Sequence, residues 1–338
     1  MIQNRDRKKQ IIYGLALIIF ITVNILQAGD VKLAQTGFQF LSVGTDARGC
    51  ALANAMTTRE FGSGAMLYNP AGMARMKQMF DLTISQNNWI DNIKYNGFSL
   101  AINPSGGRYG VVGLSFMAVD YGEVQGTMVW SNDQGYIDTE VMHPGAFSGG
   151  LGYAKTLTDK FAVGGHVKVA GQQLGNSLIM TGEGGDSLQV KENVLVTTAY
   201  DFGTIYQTGF KSLAFGMSVN NFSREIKYEQ ENFELPLTFK IGLSFDLMDL
   251  LPAVGGQQDM LLSVDVLHPR DYPEQMNIGL EYRLKEMLTV RCGYMLVSDE
   301  QNVSFGFGLQ KYGLGIDYAY APFGVFDNVQ MFTLRFIY

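Results

Sequence analysis

Three histidines, His143, His166 and His268, are the side chains of this chain best suited to proton transfer near neutral pH. His143 precedes Pro144 and His268 precedes Pro269, whereas His166 stands two residues before Lys168 in an alternating stretch. On a strand that spacing turns His166 and Lys168 to the same face. Asp201, Asp265 and Asp317 fall on equivalent faces, so a Ser-His-Asp hydrolase is conceivable, but no serine sits in a recognisable nucleophile elbow. The histidines have no acidic cluster beside them, and the two cysteines, Cys50 and Cys292, form no C-x-x-C pair, so no metal site is expected. Gly182-Glu183-Gly184-Gly185 resembles a nucleotide-binding loop but has no helix after it to receive a phosphate. The chemistry-bearing residues therefore describe a non-enzymatic protein with no cofactor.

The elements that position them follow from composition and period. The 338 residues hold 40 Gly and 39 Phe plus Tyr, with only 17% charged residues, which suits short aromatic strands and excludes both disorder and a disulfide framework. Residues 1–28 read as a signal peptide: Arg5, Arg7, Lys8 and Lys9 precede an apolar run from Ile11 to Leu26, and Ala28 offers a small residue for cleavage. Its removal leaves 21 basic and 31 acidic residues, a net charge of −10, which disfavours nucleic acid as a partner.

From residue 80 the apolar residues recur every second position almost to the C-terminus. Val303, Phe305, Phe307 and Leu309 alternate with Ser304, Gly306, Gly308 and Gln310; Phe332, Leu334, Phe336 and Tyr338 alternate with Thr333 and Arg335. A soluble sandwich or a transmembrane barrel could use such strands. Polar faces rich in Gly, Ser, Asp and Lys, apolar faces ending in Tyr or Phe, and the export signal favour the barrel. Fourteen strands are expected at 80–88, 93–103, 109–120, 145–156, 161–174, 194–206, 213–222, 237–247, 260–268, 275–285, 287–297, 302–310, 312–321 and 329–338. The fold class is thus all-β, a closed antiparallel barrel over residues 80–338 in the lipid of a Gram-negative outer membrane. Odd-numbered connections are the long or polar ones, as expected outside the cell, and only the eighth, Met248 to Asp259, breaks the rule. Cys50 and Cys292 should lie on opposite sides of the wall as free thiols.

Residues 29–79 lack the alternation and are expected to form a small helical plug, or hatch, in the lumen. Two runs stand out in it, GFQFLSVGTDARGCALANAM from Gly37 to Met56 and YNPAGMARM from Tyr68 to Met76. Together they resemble the opening of the PorV/PorQ family of outer-membrane proteins, which is related to the FadL-like barrels that transport long-chain fatty acids. Thr57-Thr58-Arg59-Glu60 departs from that pattern, where a more apolar continuation of the helix is expected. The resemblance implies a hatch motif at Gly44, Asp46, Arg48, Tyr68, Asn69, Pro70, Ala71 and Gly72. It also implies a function: the main expectation is holding exported proteins with C-terminal sorting domains at the cell surface, as in type IX secretion, and the alternative is passing a long-chain hydrophobic ligand through the barrel and out of its side.

Charges on lumen faces come in both signs, at Lys168, Lys240, Glu281, Arg283, Arg291, Asp317 and Arg335. They are expected to pair with each other and with Asp46, Arg48 or Glu60 of the hatch. Trp130, Tyr136, Tyr228 and Phe233 are the aromatic candidates for binding a partner from the extracellular loops. Phe336 and Tyr338 resemble the terminal signal read by the barrel assembly machinery.

Overall fold

Alternation requires that each strand hand its polar face to one side and its apolar face to the other, and a closed cylinder satisfies that for every strand at once. The computed structural model describes residues 36–181, 187–228, 231–250, 258–285, 287–297, 301–326 and 328–338. The signal segment 1–28, the glycine run 182–185 and part of the eighth connection lie outside the described residues. The wall consists of β1 (Phe80–Asn88), β2 (Lys94–Ile102), β3 (Val111–Asp120), β6 (Gly145–Thr156), β7 (Phe161–Thr181), β8 (Ser187–Gln207) and β9 (Ala214–Phe222). It continues through β12 (Thr238–Asp246), β13 (Gln258–Pro269), β14 (Gln275–Leu284), β15 (Leu288–Leu296), β16 (Val303–Lys311), β17 (Leu314–Ala321) and β18 (Val329–Ile337). These fourteen antiparallel strands close as β1 pairs with β18, with Leu82 opposite Phe336 and Ile84 opposite Leu334. Phe80 and Tyr338 exchange both backbone hydrogen bonds, at 2.8 and 3.0 Å, so the last residue belongs to the seam.

Three expected loops carry more structure than alternation shows. Two polar connections fold into hairpins, β4 (Val124–Val129) with β5 (Tyr136–Met142), and β10 (Ile226–Tyr228) with β11 (Glu231–Phe233). Between them β7 and β8 run to Thr181 and from Ser187, past a register shift at Gln173/Asn176. Pairing there needs only backbone groups, so it survives where no face is buried and no apolar period marks it. The eighth connection opens with a short 3-10 turn, Leu247–Leu250.

Outward residues are large and apolar. Val112, Leu114, Phe116, Val167, Phe202, Val290, Phe305, Phe307, Leu334 and Phe336 are all exposed on the cylinder's exterior. An apolar band that encircles a closed barrel matches a bilayer and would be untenable in water. No helix among the described residues is long and apolar enough to cross a membrane; the strands do so.

The lumen is filled by the chain before β1, which descends from one mouth to the other. Phe38 and Phe40 pack with Tyr95, Val119, Ile226 and Leu235 at the end opposite both barrel termini, the extracellular end by the pattern of long loops. Helix α1 (Ala47–Ala51) lies against β15 to β18, and the turns Gly62–Leu67 and Pro70–Met73 reach the periplasmic end, where Met66 and Met73 meet Ala101, Val111 and Ala154. The helix is shorter than expected because Ala53 and Asn54 turn left-handed, at φ 51° and 59°. Glycines on the inner face let the hatch touch backbone: a Cβ at Gly164 would collide with Pro70 and Ala71, and one at Gly203 with the Asn69 side chain. Gly149-Gly150 and Gly164-Gly165 do not kink the wall, since pairing runs unbroken through all four.

Cys50 is buried in the hatch and Cys292 is exposed on the outer face, both as free thiols. Burial pushes the Cys50 thiol up to about 12, which leaves almost no reactive thiolate near neutral pH. N-ethylmaleimide should therefore leave Cys50 unmodified in the folded barrel and label it after unfolding; mass spectrometry showing Cys50 labelled in the folded protein would contradict this placement.

Candidate functional site

The hatch is built from local capping and fixed by charge. Asp46 caps α1, its carboxylate accepting from the Arg48 and Gly49 amides at 2.6 and 3.4 Å. Asn69 caps the next turn through the Ala71 amide at 3.1 Å, with Pro70 in the first position, and its amide donates to Thr57 O and across to Thr204 O of the wall. Tyr68 packs on Phe61 and is buried, as are Ala71 and Gly72; Gly44 accepts from Asn87 of β1 through its carbonyl at 3.2 Å. Of these residues, Gly44 and Asn69 bond the wall directly, whereas Asp46 and Tyr68 act within the hatch.

Beneath it lies a buried ion cluster. Arg291 donates from Nε to Glu281 at 2.6 Å and from Nη1 to Asp317 at 2.6 Å, while Arg59 of the hatch makes a close bond to Glu281. Arg48 stands 3.8 Å from Asp317 and lies over the Phe61 ring. Of the hatch charges expected to pair with the wall, Arg48 does so, Asp46 is used as a cap, and Glu60 turns to Arg75 at 2.5 Å. The principal hatch cation, Arg59, was masked in the sequence by its place in the departure Thr57-Thr58-Arg59-Glu60. That departure was the available signal: Thr57 donates from N and Oγ1 to Asp265 at 2.9 and 2.7 Å, and Arg59 reaches Glu281. Arg283 lies on the same face nearer the periplasmic rim, where it is exposed, pairs with Asp259 and lines a pocket with Glu281 and Arg291. Arg335 is buried in the lumen and donates to Gln310 at 3.2 Å.

Above the hatch is a cavity of about 250 Å³ between residues 41–45, the hatch and the wall. Leu41, Val43, Leu67, Met117, Leu267 and Met295 supply apolar lining, and Lys168 and Lys240 supply two ammonium groups. Lys168 is held by Asp201 at 2.9 Å and by Asn221 Oδ1 at 2.6 Å; Lys240 has no hydrogen bond or ion pair among the described residues. Asn54 Oδ1, Tyr68 Oη, Asn220 Nδ2 and Asn277 Oδ1 also line the cavity and are buried without a protein partner. Such a site can take an apolar body and orient an accepting or anionic head.

The wall brings together one constellation that alternation alone could not identify. Ser115 Oγ lies 2.8 Å from His166 Nε2, and His166 Nδ1 lies 2.9 Å from Asp201 Oδ2. A Cβ at Gly150 would overlap His166 Nε2, so that glycine makes the approach possible. The order is that of a nucleophile, base and acid, but Lys168 bonds the same Asp201 oxygen. The Asp201 oxygen is thus shared between His166 and Lys168, and Lys168 also lines the cavity. His143 is exposed, and His268 pairs with Glu274 at 2.8 Å on the extracellular side.

The loop aromatics divide. Trp130 and Tyr136 are exposed on the β4–β5 hairpin, whereas Tyr228 donates to Asn193 at 2.8 Å and Phe233 stacks on Phe38. The latter two fold the loops over the mouth. Phe336 and Tyr338 both face outward at the seam, 44% and 85% exposed.

No family model matches the chain, and no curated protein matches it. Solved structures do share its fold. The Ralstonia pickettii toluene transporter TbuX superposes with a TM-score of 0.58 at 12% identity, covering 87% of this chain and 98% of its own. The Pseudomonas putida toluene transporter TodX gives 0.56 at 13%, covering 86% and 96%. A Pseudomonas aeruginosa FadL homologue gives 0.50 at 13%, covering 87% and 98%. The architecture is therefore a FadL-like fourteen-strand barrel.

Glu281→Gln would leave Arg59 and Arg291 sharing one neutral side chain, an uncompensated buried charge that should cost about 3–5 kcal/mol. Asp259→Asn, which breaks the exposed Arg283 pair, should cost no more than about 1 kcal/mol. Urea unfolding in lipid bilayers would compare them, and equal effects would show that the cluster does not hold the hatch.

Proposed function

We propose that this chain is an outer-membrane transporter for a lipophilic small molecule with an anionic or strongly accepting head, which enters at the extracellular mouth and rests above the hatch. The observation that carries the reading is the lumenal cavity, where apolar side chains surround Lys240, which makes no hydrogen bond or ion pair among the described residues. The fold supports it: the barrels it resembles include toluene transporters and a FadL homologue. The export signal and the apolar exterior fit a bacterial outer membrane, and Phe336 and Tyr338 fit recognition by the barrel assembly machinery. Pairing between β8 and β9 shifts register at Tyr200/Phe202, beside the cavity, where Asn221 turns left-handed at φ 62°. A ligand leaving sideways would part the wall there, because one ladder bond is replaced by the Asp201 side chain accepting from Asn221 N at 2.7 Å.

A second reading, a PorV/PorQ-type holder of exported proteins, is favoured by one observation. The β4–β5 hairpin presents Val129, Trp130, Tyr136 and Val141 to solvent above the barrel, 86%, 44%, 46% and 47% exposed. Such a surface suits a protein partner better than a small molecule.

Equilibrium binding of a fluorescent long-chain carboxylate to the detergent-solubilised barrel distinguishes them. Lys240→Gln should weaken binding by about tenfold or more, the equivalent of one charge-assisted hydrogen bond, while removing residues 126–139 should leave it unchanged. The opposite pattern, with the hairpin deletion abolishing capture of exported proteins and Lys240→Gln silent, would favour the holder.

A further inference from the structure

A second pocket lies on the other side of the hatch, at the periplasmic end, and transport through the upper cavity does not require it. It encloses about 420 Å³, and of the charged residues lining it seven are basic and three acidic. The basic excess is structural, because the nearby carboxylates are already used. Glu281 and Asp317 are shared by Arg59, Arg291 and Arg48; Glu60 pairs with Arg75; and Asp81 accepts from Ser63 N and Oγ at 2.9 and 2.7 Å.

Three guanidiniums line this pocket, those of Arg48, Arg59 and Arg335, and each has one fully buried nitrogen with no acceptor in the protein, Nε, Nη1 and Nε in turn. Each of these residues is only 8% exposed, so the donors are withheld from bulk water. A buried donor without an acceptor costs free energy, so an anion that drew these side chains toward the pocket would gain bonds that the wall does not give them. Arg335 is the least committed: its one hydrogen bond among the described residues is the 3.2 Å bond to the neutral Gln310. Lys77 and Gln78 at the rim are exposed, which leaves the pocket open toward the periplasm.

We propose that this pocket binds a tetrahedral oxyanion, of the phosphate monoester or inorganic phosphate kind. Guanidinium forks match phosphate oxygens in geometry as well as charge. The occupant is either a free periplasmic phosphate or the head of an amphiphile, and both present the same group to the arginines.

The test is calorimetric titration of the full barrel in uncharged detergent, near neutral pH and at low salt, with inorganic phosphate and separately with butyl phosphate. Saturable binding is expected for wild type, weakened by at least about tenfold in Arg335→Gln and unchanged in Lys160→Gln, an exposed turn lysine that lines neither cavity. Lys77→Gln touches only the exposed rim and should weaken binding severalfold, which keeps the test valid if Arg335→Gln does not fold. Equal affinity for the two ligands supports a free phosphate, and tighter binding of butyl phosphate supports an amphiphile head. No saturable binding of either, or affinity indifferent to both Arg335→Gln and Lys77→Gln, overturns the proposal without bearing on the upper cavity.

Discussion

Everything inside this barrel depends on how three guanidiniums are shared between two carboxylates. Arg291 bridges Glu281 and Asp317, and Arg59 and Arg48 of the hatch dock on the same two acids. Taking such charges out of water offsets most of their mutual attraction, so the cluster adds little net stability. Its consequence is positional. Any other seating of the hatch would strand a buried charge, at a cost of several kcal/mol, and so the plug has one place to sit. The glycines of the inner wall complement this by allowing Pro70, Ala71 and Asn69 to lie directly on wall backbone.

With the hatch in one place, the lumen divides into two compartments of the same sign. The upper one offers Lys168 and Lys240 within a largely apolar lining; the lower one offers arginines opening to the periplasm. Asp201 and Asn221 anchor Lys168, and Asp201 is itself bonded by His166, which Ser115 meets in turn. The exterior contributes only its apolar match to the bilayer. Function therefore lives in the contents of the cylinder.

The wall was legible because its physics is local. A period of two, a change of side at each turn and an aromatic last residue placed all fourteen strands to within a few residues, apart from β7 and β8, which outrun their apolar faces. The hairpin β4–β5 escaped notice for the same reason, since its exposed strands show no buried face. The hatch motif from Gly44 to Gly72 could be read as a unit, but its partners could not. Arg59 and Glu281 are 222 residues apart, and no spacing rule connects them. Alternation gives the face of a strand and not the depth along it, so the exposure of Arg283 at the rim and its pair with Asp259 could not be read in advance. The upper cavity depends on gaps between hatch and wall, which no one-dimensional pattern contains.

The account's central claim is that the lumen carries a small lipophile. Native mass spectrometry of the barrel, extracted gently from its own membrane, tests that claim directly. A stoichiometric lipophilic anion, retained by wild type and lost from a variant carrying a negative charge at position 240, is the predicted result. A barrel free of small molecules that instead co-purifies with exported proteins sharing a C-terminal domain would contradict it.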